Sequence, residues 1–380
     1  MRRRFYILAA IALAILAGWN ALIWLASKTT QRHELLQTLD HLPPDTDCIF
    51  LGNSLMAAGG DTSAFKSSWA DPNDPPVPLN LALGATTPVE HYLILKRALQ
   101  QPVHIKYLVY GFFDDQLNAP ATGGWTNLMG NRAFSYYFPK DAAAFYAPDS
   151  RWEVLKLWTI GHIPMFADRS SLWGKVELLR RWCGDLGMPK QKNNRFGRAA
   201  DFEGLEPKDV ASFTDRCESV VRGQNGFSPA VRGILQLAHE HNVKVVLVEM
   251  PMRSKHRETF YSQPAWAGLR AYLQTLAAQE SAVYISASDW VTNDSDFEDA
   301  MHLNDAGAKF FSARLAATLS GGARPVRVSL NARPGSGRAL LLGSGVKPRR
   351  HRVVPKPVYR PSLSPNAVSN KPFPTTRLPM

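Results

Sequence analysis

The sequence predicts an α/β protein: a three-layer domain built on a parallel sheet, carrying a large insertion and preceded by one membrane-spanning helix. Three observations carry that expectation. Between about residues 46 and 320, short continuously apolar runs alternate with segments of helical periodicity, the pattern of parallel strands covered on both faces. Ahead of them lies an uncharged run from Phe5 to about Ala26. Behind them, from Gly321 onward, the composition changes abruptly and no sustained periodicity remains.

The amino-terminal run follows Arg2-Arg3-Arg4 and has Asn20 as its one strongly polar residue. About 22 residues at 1.5 Å rise span a hydrocarbon core of roughly 30 Å. Trp19 and Trp24 lengthen it, and its exit "WLASKTT" is a poor small-x-small cleavage site, so it reads as an uncleaved anchor rather than a signal peptide. Arginines at its start place that end in the cytoplasm and send the rest across the membrane. Residues 1–27 are therefore expected to be a cytoplasmic stub and anchor, residues 28–45 a polar neck, and the body extracytoplasmic.

Within 46–320, "CIFLG" (48–52) is the first strand expected and "LNLALGA" (79–85) the second. "TPVEHYLILKRALQQ" (87–101) reads as a helix with Thr87 as N-cap and Pro88 at its first position. "IKYLVYGF" (105–112) is a buried strand. "SPAVRGILQLAHEH" (228–241) repeats the capped, proline-first signature and leads into the strand "VKVVLVEMP" (243–251). "AWAGLRAYLQTLAAQ" (265–279) is a helix, with Trp266, Leu269, Leu273 and Leu276 on one stripe, and "AVYISAS" (282–288) is the fifth strand. The last helix (304–319) has Asn304 as cap and Phe311, Leu315 and Leu319 at four-residue spacing. Five such strands suit a doubly wound, flavodoxin-like sheet, in which ligands bind beyond the carboxyl ends of the strands. Ser54, Gly84, Asp114 and the "PMRSKHR" segment (251–257) all fall on that rim.

The insertion, about 113–227, holds five of the ten tryptophans and is too long and apolar for a loop, so it reads as a helical subdomain or lid. Its aromatic residues suit either a core of their own or a carbohydrate-stacking surface. The tail 321–380 has ten prolines, twelve Lys/Arg and no acidic residue, and is expected to be disordered. Those twelve account for the whole net charge of +12; the remaining 32 basic residues equal the 32 acidic ones. The body thus has no global basic footprint, which argues against a nucleic-acid partner. Three cysteines (48, 183 and 217) are too few for a disulfide framework; Cys183 and Cys217 pair in an oxidising compartment, or all three are isolated thiols. His239 and His241 lie two apart on a helix and face apart. No metal-ligand spacing and no cofactor motif occurs, and none is expected.

"IFLGNSLMAAG" (49–59) runs a strand into Gly52-Asn53-Ser54, which on its own is ordinary turn chemistry. A nucleophilic serine needs a base and a group to orient that base. The chain has one Asp-x-x-His, Asp299-Ala300-Met301-His302, placed after the fifth strand on the rim that holds Ser54. Met56 stands where the second glycine of an α/β-hydrolase Gly-x-Ser-x-Gly would be. With "NLALGATTP" and "FEDAMHLNDAGAKFFSARLA", these blocks frame residues 45–320. They resemble the SGNH (GDSL-like) hydrolase superfamily, and more narrowly its membrane-anchored branch related to alginate and D-alanine acyl-transfer proteins.

The resemblance implies Ser54 as nucleophile, His302 as general base and Asp299 as its orienting partner, with the backbone N–H groups of Ser54 and Gly84 binding the oxyanion. It implies a serine esterase or O-acyltransferase acting on ester-linked acyl groups of a surface polysaccharide or cell-wall glycan, at the periplasmic or extracytoplasmic face. Its partners would be a glycan or acylated small molecule, the membrane, and a multispanning acyl-donor protein. One element departs. The third block, Gly-x-Asn-Asp, aligns with Gly111-Phe112-Phe113-Asp114, so Phe113 replaces an oxyanion donor. Asn53, Asn118, Asn127 and Asn131 are the candidate substitutes, and Arg253 and His256 are candidate substrate contacts. The same departure keeps a second reading open, a non-catalytic glycan-binding or scaffold module of an export complex.

Overall fold

The computed structural model describes residues 2–28, 31–118 and 207–321, with isolated positions between 141 and 198. The sheet has five strands, β1 (Cys48–Leu51), β2 (Pro78–Asn80), β3 (Tyr107–Phe112), β4 (Lys244–Glu249) and β5 (Val283–Ser286), in the order β2-β1-β3-β4-β5. Every pairing in it is parallel. The register runs Cys48 opposite Tyr107, Tyr107 opposite Lys244 and Val246 opposite Val283. The three-layer α/β architecture expected from the alternating runs is present.

The strand period of two explains why the runs are apolar throughout. Ile49, Leu51, Leu108, Tyr110, Val245 and Leu247 enter one core layer. Cys48, Phe50, Val109, Val246, Val248 and Ile285 enter the other. The first layer is closed by residues of α2 (Gln31–Asp40), α5 (Pro88–Ala98), α6 (Pro207–Arg222), α7 (Pro229–Glu240) and α8 (Pro264–Gln279). The second is closed by α3 (Ser54–Gly59), α4 (Thr62–Ser67) and α9 (Asp305–Leu319). The caps read from sequence hold α7 and α9: Ser228 accepts from Val231 N–H, and Asn304 accepts from the N–H groups of Ala306 and Gly307. At α5, Glu90 reaches back to the Thr87 N–H at 2.7 Å.

Three departures from the sequence reading have local causes. The neck contains α2, whose Leu35, Leu36 and Leu39 are buried in the first layer. Strand β2 ends at Asn80 rather than 85. There the Asn80 side chain accepts from Ala82 N–H and donates to the carbonyls of Met56 and Gly60, while Leu81 and Leu83 still donate to the carbonyls of Phe50 and Gly52. Within the expected insertion, residues 207–222 form α6, and Phe213, Cys217 and Val220 join the main core. Cys217 is a buried free thiol. Cys183, the tail beyond Gly321, and Asn127 and Asn131 lie outside the described residues. At the amino terminus, α1 (Arg2–Ser27) is long and apolar enough to cross a membrane, features that a signal sequence shares.

The rim is tied together by close backbone approach. A Cβ at Gly52 would lie 2.8 Å from the Gly111 carbonyl oxygen and 2.9 Å from Met56 Cβ, so β1 must end in glycine for the loop after it to cross beside β3. Gly52→Ala is expected to lower unfolding stability by about 1–3 kcal/mol through this overpacking, read from the denaturant midpoint; an unchanged midpoint would show that the approach is not constraining.

Candidate active site

The chain leaves β1 toward β2 on one side and later pairs β3 on the other, so the order of strands reverses between β1 and β3. In such sheets a crevice opens beyond the carboxyl ends at that point, because the loops from the two strands depart in opposite directions. Asn53-Ser54 leaves β1 here, and Phe113-Asp114 leaves β3. Asn53 caps α3, its Oδ1 accepting from Leu55 N–H at 2.9 Å, which sets Ser54 at the first helical position with its side chain half-buried.

Asp299 and His302 come from the loop between β5 and α9. A single antiparallel bridge, Phe297 with Leu303, closes this loop, and Glu298 N–H donates to the His302 carbonyl at 2.8 Å. Phe297 and Leu303 are buried in the second core layer. The tight turn puts residues three apart on one side: His302 Nδ1 lies 2.8 Å from Asp299 Oδ2 and 3.0 Å from Oδ1. Asp299 Oδ1 also accepts from the backbone N–H groups of Met301 and His302, each at 2.8 Å. A carboxylate only accepts, so Nδ1 carries the proton and Nε2 presents a lone pair. That Nε2 is 2.9 Å from Ser54 Oγ. Asp299 and His302 are both more than nine-tenths buried. The structure therefore brings Ser54, His302 and Asp299 into one hydrogen-bonded line, drawn from positions some 245 residues apart.

Gly84 sits beside this line; a Cβ built on it would have Ser54 Cβ as its near neighbour, at 3.7 Å. Among the described residues, neither the Ser54 nor the Gly84 backbone N–H has an acceptor. The loop that carries Gly84 is held from beneath. Ala85 follows in the left-handed region, φ 56°, a conformation that needs external support in a non-glycine residue. Thr86 supplies it, donating to the Leu83 carbonyl at 2.5 Å and meeting His91 Nε2 at 2.9 Å, while His91 Nδ1 meets the Tyr110 hydroxyl at 2.8 Å. Since the Thr86 hydrogen goes to Leu83, His91 donates from Nε2, and Tyr110 donates to Nδ1. This buried relay was not legible in the sequence, where His91 is one helical residue among many.

The other expected contacts have partners. Asn118 gives both amide hydrogens to the carbonyls of Asn225 and Gly226. Arg253 pairs with Asp294 at 3.1 Å. His256 is buried with Nε2 3.2 Å from Asp114 Oδ1, which also accepts from the Tyr261 hydroxyl. Phe113 packs against the second core layer, on the α3 side of the sheet. Further along the rim, buried Glu249 accepts from Arg270, Tyr284 and Ser286, which fixes the ends of β4 and β5. Among the described residues no group of three His, Cys, Asp or Glu side chains forms a metal cluster.

No family model matches the chain, and no curated protein matches it. Solved structures do. A lipase/acylhydrolase from Enterococcus faecalis is similar at 14% identity, with 74% of this chain and 98% of that one covered and a TM-score of 0.31. A carbohydrate acetylesterase from Sinorhizobium meliloti is similar at 12% identity, with 72% and 98% covered and a TM-score of 0.31. A Bacteroides fragilis protein provisionally described as an acylhydrolase is similar at 11% identity, with 75% and 94% covered and a TM-score of 0.34.

The His91 relay has a consequence for pH. Complete burial, opposed only in part by the Gly52 carbonyl, pushes His91 down to about 3, whereas in the unfolded chain it titrates near 6.5. Its neutral form is compatible with folding above about pH 6.5, and stability is lost as pH falls from there toward 3, by up to about 1.4 kcal/mol per pH unit. Between pH 7 and pH 5 the wild type is expected to lose about 2 kcal/mol from this source. His91→Gln should flatten that slope in urea titrations at the two pH values, and an unchanged slope would contradict the buried neutral assignment.

Proposed function

We propose that this chain is a serine-dependent ester hydrolase or O-acyltransferase of the SGNH type, working through an acyl-serine intermediate. The observation that carries the reading is the line from Ser54 Oγ through His302 to Asp299, at 2.9 and 2.8 Å, in the crevice between β1 and β3. Ser54 gives its proton to His302 Nε2 as Oγ attacks the acyl carbonyl carbon. Asp299 holds the imidazole in the required tautomer and stabilises the imidazolium that forms. The negative charge that develops on the carbonyl oxygen meets the unpaired N–H groups of Ser54 and Gly84. The tetrahedral species collapses when the ester C–O bond breaks, and the departing alcohol takes the proton from Nε2–H. Water or a sugar hydroxyl then repeats the sequence on the acyl-serine, with His302 again as base, and Ser54 is regenerated.

Read as an uncleaved anchor with positive-inside arginines, the amino-terminal helix would hold the domain at the extracytoplasmic surface. The substrate class that suits this placement is an O-acylated glycan, and a multispanning membrane protein would present the acyl donor. A second reading rests on Phe113: with the usual amide donor replaced by an apolar side chain, the fold would bind glycan and scaffold an export complex without turnover.

Purified full-length protein should be assayed with p-nitrophenyl acetate and labelled with a serine-reactive fluorophosphonate. Labelling is expected in the wild type and absent from Ser54→Ala. His302→Ala should abolish turnover, and Asp299→Asn should lower kcat on the order of 10³-fold or more. A wild type that neither labels nor turns over above Ser54→Ala would favour the scaffold reading.

A further inference from the structure

We propose that Gln116 supplies the side-chain donor of the oxyanion hole; the assignment rests on the esterase reading above. The argument follows the amide groups outward from α3. The Leu55 backbone N–H can only donate, so the Asn53 atom that receives it at 2.9 Å is Oδ1. Asn53 Nδ2 must then face the other way, and there it meets Gln116 Oε1 at 3.5 Å, the long end of a hydrogen bond. A nitrogen facing Gln116 requires its oxygen in return. The orientation of both amides is thus dictated by one backbone N–H, and Gln116 Nε2 is left pointing away from Asn53 with two hydrogens to give. Among the described residues Nε2 has no partner, and it is not sealed from solvent.

The backbone around Gln116 is pinned on both sides. Its own N–H donates to the Phe113 carbonyl at 3.2 Å, closing a turn directly after β3. Asp114, in the left-handed region at φ 48°, is held by His256 and Tyr261. Leu117 is fully buried, and its carbonyl accepts from Ser228 N–H at 2.8 Å. Asn118 is anchored by its two side-chain bonds to Asn225 and Gly226. An amide projecting from so fixed a turn, beside the residue that precedes Ser54, is preorganised in the way transition-state donors need. Phe113 sits at the position where the third block has its asparagine and its side chain contributes apolar contact; one turn later Gln116 brings an amide against Asn53, the residue before Ser54. Asn118 is excluded because both of its hydrogens are already given; Asn53 has its oxygen in the cap and one of its two hydrogens turned to Gln116, whereas Gln116 Nε2 keeps both of its own.

Gln116→Ala and Gln116→Glu, the second keeping the size while removing the donors, test this in the full-length protein with p-nitrophenyl acetate. Both are expected to lower kcat about 10²–10³-fold with KM changed less than about threefold, to slow fluorophosphonate inactivation in parallel, and to leave the melting temperature within about 2 °C. A merely structural role would move the melting temperature and KM instead, and that pattern would overturn the assignment. So would Ser54-dependent turnover that both variants keep within about threefold of wild type, which leaves the esterase reading standing. Absence of Ser54-dependent turnover in the wild type would overturn the esterase reading, and this assignment with it.

Discussion

Once β1 pairs β2 on one edge and β3 on the other, the connections leaving β1 and β3 must separate, and a crevice opens between them whatever side chains line it. The constraint is tightened by Gly52, whose missing Cβ lets the chain after β1 pass within contact distance of the Gly111 carbonyl. The residues of the proposed site are placed relative to that crossing. Ser54 enters from β1, the turn of Gln116 from β3, and Gly84 from the chain beyond β2. His302 arrives from the loop just before α9, some 245 residues after Ser54, because α9 packs on the same face of the sheet as α3.

Rigidity at the site comes from buried polar groups whose hydrogen bonds are closed away from the reacting atoms. Tyr110, His91 and Thr86 form a directional relay that ends on the Leu83 carbonyl and supports the left-handed Ala85 next to Gly84. Asp299 takes four hydrogen-bond contacts from its own loop, so the imidazole of His302 has one orientation. These networks fix geometry at the expense of requiring every member, since an unmatched buried donor or acceptor costs more than a matched one contributes.

Much of this was legible in the residues. Continuous apolar runs gave away strands buried on both faces, Pro88 and Pro229 marked helix starts, and the lone Asp-x-x-His pointed to the rim that holds Ser54. The rest depended on contacts no linear pattern encodes. Helix α2 hides in a polar segment because three leucines suffice to seat it. Strand β2 ends in Asn80, whose side chain ties it to Met56 of α3 and to Gly60 just after it, a contact no spacing announces. His91 looks like any residue of α5 until Tyr110 and Thr86 are seen around it. Gln116 has no spacing rule at all; its meaning depends on which way Asn53 is turned, and that is set by a cap.

The central claim is that Ser54 becomes covalently acylated. Rapid acid quenching after mixing full-length protein with an aryl ester, followed by peptide mass spectrometry, reads that species directly. The account predicts one acyl group per chain, mapped to the peptide containing Ser54 and absent from Ser54→Ala and His302→Ala. An acyl group on another residue, or ester turnover with no adduct at Ser54 at any quench time, would contradict it.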